Sequence, residues 1–169
     1  MVTVDGTDFR IPEQVPFDPE LYSKKFNGPG YRYEIAVCIK TGLIVWANGP
    51  FKAGLPDINI AREELNDWLL PGEMYVADGG YRDGNQWCVH PRRDRTIGYE
   101  YQKTVARARH ETINGLFKNF SCWKQVFRNR PVLQKHPIVT MAAINVVQAG
   151  LIAGYSTFDV EYDENDNIF

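Results

Sequence analysis

At 169 residues the chain has room for one domain with a full core and not for two comfortable ones. Hydrophobic residues at 44% and charged residues at 24% exclude a disordered class, and the lack of any apolar run of 18 residues or of a signal-peptide pattern in "MVTVDGTDFR" argues for an intracellular chain. The net charge of -2 is unevenly spread: residues 155–169 hold Asp159, Glu161, Asp163, Glu164 and Asp166 and no base, whereas Arg82 to Lys135 holds twelve Lys and Arg against Asp83, Asp94, Glu100 and Glu111. Such a basic segment suits either phosphates or a plain solvated face.

Residues 2 to 11 alternate around Val2, Val4 and Phe9 and predict a first strand that carries Asp5. After Pro12, Pro16 and Pro19, "YEIAVCIKTGLIVWA" gives two β-rich runs, 33–39 and 43–47, joined at Lys40-Thr41-Gly42 as a hairpin. "PDINIAREELNDWLL" switches to helical spacing, with Ile58, Ala61, Leu65, Trp68 and Leu69 on one side and Asp57 as its N-cap. A short strand at 74–77 then stops on Asp78, where Gly79 and Gly80 break it, and "QWCVHP" at 86–91 suits one more short strand. Helical patterns follow from about Tyr99 to Phe120 and from Val132 to Ala153.

Cys38, Cys88 and Cys122 form no CxxC pair, so reduced thiols are expected; Cys88-x-His90 lacks a matching pair at His110 or His136 and does not make a zinc site. The element order predicts an α/β fold, a ribonuclease-H-like mixed β-sheet of a three-strand meander plus parallel strands, flanked by helices. In that arrangement Asp5, Asp78 at its strand tip and Glu111 on the next helix converge at one end of the sheet. Three ionised carboxylates at close range need a compensating cation, and hard oxygen donors suit Mg²⁺, with Mn²⁺ as substitute and two ions expected. Glu111 tests the idea, because Ile113, Leu116, Phe117 and Phe120 form the apolar stripe of its helix and leave Glu111 on the opposite side with Arg107, Asn114 and Lys118. A surface pair of Arg107 with Glu111 is the plainer reading of that face.

Four blocks in order, "VDGTDFRI" (4–11), "YSKKFNGPGYRYEIAVCIKTGLIVWANGPFKAGLPDINI" (22–60), "YVADGGYRDG" (75–84) and "ARARHETINGLFKNF" (106–120), resemble the DDE-superfamily endonuclease domain of PIF/Harbinger-type eukaryotic transposases. Acidic residues with 72 and then 32 residues between them complete the resemblance, which extends to about Phe127 and more loosely through "HPIVTMAAINVVQAGLIAG". It implies a catalytic domain over 1–154 followed by an acidic tail, 155–169. It implies Asp5, Asp78 and Glu111 as catalytic and metal-binding residues of a nuclease that hydrolyses DNA phosphodiesters and joins the freed 3′-hydroxyl to target DNA. Asp57 matches a further aspartate of such sequences and is read here as a helix cap; Asp8 lies on the opposite sheet face from Asp5.

The resemblance further implies a nuclear protein whose Lys24, Lys25, Arg107, Arg109 and Lys118 contact DNA phosphates. An accessory DNA-binding protein and self-association are expected partners, because the DNA-binding region that precedes the catalytic domain in family members has no counterpart before Asp5. The alternative is a domesticated or decayed relative, a binding module of the same fold that no longer cleaves; a related nuclease acting on RNA shares the chemistry. The acidic tail is expected to weaken DNA binding by offsetting part of the basic excess.

Overall fold

β1, Val2–Arg10, runs through the middle of a mixed sheet. On one side it pairs antiparallel with β3, Gly28–Cys38, from Val2 opposite Cys38 to Arg10 opposite Gly30. On its other side it pairs in parallel with β5, Tyr75–Val76, which pairs in parallel with β6, Cys88–Val89. β4, Ile44–Lys52, lies outside β3, and the two-residue β2, Tyr22–Ser23, meets the start of β3. The structure is a computed structural model and describes residues 2–82, 87–89, 97–128 and 130–154; His90 and the acidic tail lie outside them.

Helices cover both faces, which explains why β1 lacks a clean in-and-out alternation of burial. On one face, α1 (Asp57–Ile60) continues through a π turn (Ala61–Leu65) into α2 (Asn66–Trp68), and Ala61 and Leu65 pack with Val4, Ala36, Tyr75, Ala77 and Tyr81. On the other, α3 (Ile97–Phe117), α4 (Ser121–Lys124) and α5 (Val132–Ile152) close over Phe9, Tyr33, Ile35 and Val37. Phe9 stacks on Trp123 at 4.7 Å between ring centres, and Trp123 meets Phe117 edge-on at 4.9 Å. Contacts of this kind add about 0.5–1.5 kcal/mol each beyond the area that they bury.

The fold is therefore α/β with a mixed sheet, as the element order predicts. The strands of the hairpin are longer than their apolar runs: Gly28 and Pro29 of β3 pair with β2 and Gly30 with β1, and β4 resumes its pairing at Phe51 and Lys52 after a register shift, where no side-chain pattern signals it. α4 has no counterpart among the predicted elements, its four residues being too short to show a period. Asp57 is not the cap: Pro56 takes that position, and Asp57, the first helical residue, makes no capping hydrogen bond. Among the described residues no helix is long and apolar enough to cross a membrane.

Candidate active site

A cavity of about 570 Å³ opens between β1 and α3. Asp5, Asp78 and Glu111 all line it, although they come from a central strand, the turn after β5 and a helix. Lys25, Arg107 and Lys118 line it too, and so do Arg10 and Lys124, which no pattern in the sequence marks as site residues. Lys24 is exposed outside the cavity, and Arg109 donates to the Ile39 carbonyl just past the end of β3.

Asp5 is the innermost of the three carboxylates. Its odd position on β1 turns it toward α3, where Asn114 Nδ2 donates to Asp5 Oδ2 at 3.2 Å. Lys25 Nζ stands 3.8 Å from Asp5 Oδ1 and also donates to the Gly6 carbonyl. Burial pushes the Asp5 carboxyl up to about 6; Lys25 opposes the rise, and Asp78, Asp57 and Glu111 add to it. Asp5 thus sits where desolvation and three acidic neighbours outweigh the opposing charge of Lys25.

Asp78 caps the 3₁₀ turn Gly79–Tyr81, its Oδ1 accepting from Gly80 N at 2.7 Å. That is the ordinary Asp-Gly turn, and it fixes the carboxylate at the rim of the cavity. A Cβ at Gly80 would stand 3.0 Å from both Asp78 Oδ1 and Asp57 Oδ2, so a side chain there would press on both carboxylates. Asp57 reaches this position over Gly6, where a Cβ would come within 2.5 Å of Asp57 Oδ1.

What holds Asp57 there is Arg32, on β3. Its Nη1 donates to Asp57 Oδ1 and to the Leu55 carbonyl, each at 2.8 Å, while Nε and Nη2 grip Asp8 at 2.6 and 2.9 Å. Ser23 Oγ donates to the same Asp8 carboxylate at 2.5 Å. Asp8 borders the cavity, but its carboxylate is 1% exposed and committed to Arg32 on the opposite face of β1 from Asp5. Spacing alone cannot reveal this network, since Asp8, Arg32 and Asp57 meet only through the β1–β3 register and the packing of α1.

Glu111 is exposed at the cavity mouth, on the side of α3 that periodicity assigns to water. That side is not uniformly solvated. His110 and Asn114 flank Glu111 on the helix, are buried, and line the cavity; among the described residues, His110 Nε2 and Asn114 Oδ1 have no hydrogen-bond partner. His110 Nδ1 lies 3.1 Å from Thr3 Oγ1, and burial pushes the imidazole down to about 4, so it is neutral at pH 7. The signal for Asn114 is its position one helical turn after Glu111; His110 gives none beyond its adjacency.

The donor chemistry around Asp5 is hard carboxylate oxygen, a type that fits a divalent cation such as Mg²⁺. Among the described residues, however, no three His, Cys, Asp or Glu side chains stand close enough to hold one together. Lys25 stands where such charge would be neutralised. Among the described residues, Cys38, Cys88 and Cys122 form no disulfide. No protein-family model, curated protein or solved structure matches the chain.

Proposed function

We propose that this domain is a metal-dependent DNA endonuclease of the transposase type, with Asp5, Asp78 and Glu111 as its acidic set. The observation that carries the reading is that three carboxylates spread over more than a hundred residues line one cavity together with Arg10, Lys25, Arg107, Lys118 and Lys124. The sheet order, with β1 between an antiparallel and a parallel neighbour, supports a ribonuclease-H-like architecture, in which acidic residues of adjacent strands meet. A bound Mg²⁺ would supply charge neutralisation at the attacked phosphate and at the leaving oxygen. The chain's own residues do the rest. Arg107, Lys118 and Lys124 hold the nucleic-acid backbone by its phosphates without reading sequence, Asn114 keeps the Asp5 carboxylate turned into the cavity, and Arg32 keeps Asp57 facing Asp78. Nuclear residence and an accessory DNA-binding chain belong to the same reading.

One observation favours a second reading, a relative that binds nucleic acid and has stopped cutting. Lys25 already serves as counter-ion to Asp5, an arrangement that needs no metal. Nicking of a supercoiled plasmid in Mn²⁺ by wild type and by Glu111→Gln decides between them. Cleavage by wild type that is lost in the variant supports the nuclease. No cleavage by a folded wild type that still retards DNA supports the binding module.

A further inference from the structure

α5 is apolar on two opposite sides. Its inner side buries His136, Thr140, Ala143, Ile144 and Val147 against the sheet. Its outer side carries Ile138, Ala142, Asn145, Ala149 and Ile152, all exposed, with Ile138 at 70% and Ile152 at 67%. Met141 and Val146 widen this stripe, and no charged residue occurs between Lys135 and the helix end. A helix that is apolar all round is ordinarily covered all round. None of these outer residues lines the cavity between β1 and α3.

The spacing of the outer stripe, four, three, four and three residues, is the heptad seam of a two-helix coiled coil. Its composition is self-complementary when the second helix runs the other way. A two-fold axis between Ala142 and Asn145 sets Ile138 of each copy on Ala149 of the other, and Ala142 on Asn145, so that large faces small and the helices approach closely. The same axis sets Lys135 on Ile152, where its stem covers the isoleucine and its ammonium reaches the carbonyl end of the other helix. Charge agrees with this direction, because Arg128, Arg130 and Lys135 mark the start of α5, and an antiparallel pair keeps the two sets apart where a parallel pair would bring them together.

We propose that the outer face of α5 is a homodimer interface, occupied by α5 of a second copy in antiparallel orientation. The stretch from Ile138 to Ile152 rises about 21 Å, which makes a small interface of the reversible class. Asn145, the polar member of the seam, fixes the register at some cost in affinity.

Sedimentation velocity over a concentration series tests the proposal. The wild type should shift from monomer to dimer over roughly the micromolar range. Ile138→Glu and Ala149→Lys, each alone, should raise the dissociation constant at least tenfold, and both together in one chain should restore it toward wild type, because each introduced carboxylate then meets an ammonium of the other copy. A wild type that stays monomeric at 100 μM and above, or a double variant no tighter than the weaker single, overturns the proposal. Far-ultraviolet circular dichroism must show the variants folded, and both changes fall on exposed positions that the core does not use.

Discussion

Lys25 Nζ stands 3.8 Å from Asp5 Oδ1, so an ammonium from the segment between β2 and β3 faces the innermost of the three proposed acidic residues. The chain thereby supplies one positive charge where the proposed reaction calls for divalent cations. Lys25→Met removes that charge and leaves Asp5 with its acidic neighbours Asp78, Asp57 and Glu111. The variant should lose about 1 kcal/mol or less without metal, since the lysine is half exposed, and should gain more in melting temperature from millimolar Mn²⁺ than wild type does. A gain no larger than that of wild type would separate Lys25 from cation binding.

Glu34 lies opposite Gly6 in the β1–β3 register, is 1% exposed, and among the described residues has no hydrogen-bond partner on either carboxylate oxygen. Burial pushes it up to about 7; Trp46 and Tyr81 are close enough to oppose the rise in part, and Asp57 and Glu64 add to it. The folded state therefore binds this proton more tightly than the unfolded chain, so its contribution to stability is complete at pH 4 and is lost as pH rises toward 7. Glu34→Gln should be more stable than wild type at pH 8, by up to about 3 kcal/mol, with the difference shrinking on acidification. Urea unfolding at pH 4.5 and pH 8 measures it.

His136 carries the opposite sign. Fully buried, with Nδ1 2.9 Å from the Tyr33 hydroxyl and 3.2 Å from Thr140 Oγ1, it is pushed down to about 4 by burial. The unfolded chain takes up this proton first, so stability falls as pH drops from about 6.5 to 4. A buried neutral imidazole should give proton-sensitive NMR shifts that stay flat down to about pH 5 in the folded state. Titration near 6.5 in the native protein would contradict the burial argument.

Arg32 joins Asp8 and Asp57 with all three of its nitrogens in use. Arg32→Ala would strand the buried Asp8 carboxylate and should cost about 3–5 kcal/mol in denaturant unfolding. Arg32→Lys keeps the charge but cannot span both carboxylates and the Leu55 carbonyl, and should fall between wild type and the alanine variant. If the lysine variant matches wild type, the planar fork is not what holds Asp57 beside Asp78.

Much of the element order was legible from side-chain period. Val2, Val4 and Phe9 mark β1, and Ile113, Leu116 and Phe117 mark the inner side of α3, because burial on a known face imposes a spacing that survives in one dimension. Asp78 at a strand end was legible from Gly79 and Gly80. The short pieces were not: β2 is held by pairing with Gly28 and Pro29 and α4 by the packing of Trp123 in the core, and neither is long enough to show a period of its own.

For the candidate site, the sequence alone determined which residues carry charge and which side of each element they occupy. It assigned Glu111, Arg107 and Lys118 to the side of α3 away from the core, and nothing local says whether that side meets bulk water or another element. Tertiary structure decided that it meets β1 across a cavity, that Asn114 on the same side is buried against Asp5, and that Asp57 serves Arg32 instead of its own helix. The physical reason is that period reports only the direction of a side chain relative to its own backbone. What stands opposite is fixed by strand register and helix packing, which join residues a hundred positions apart.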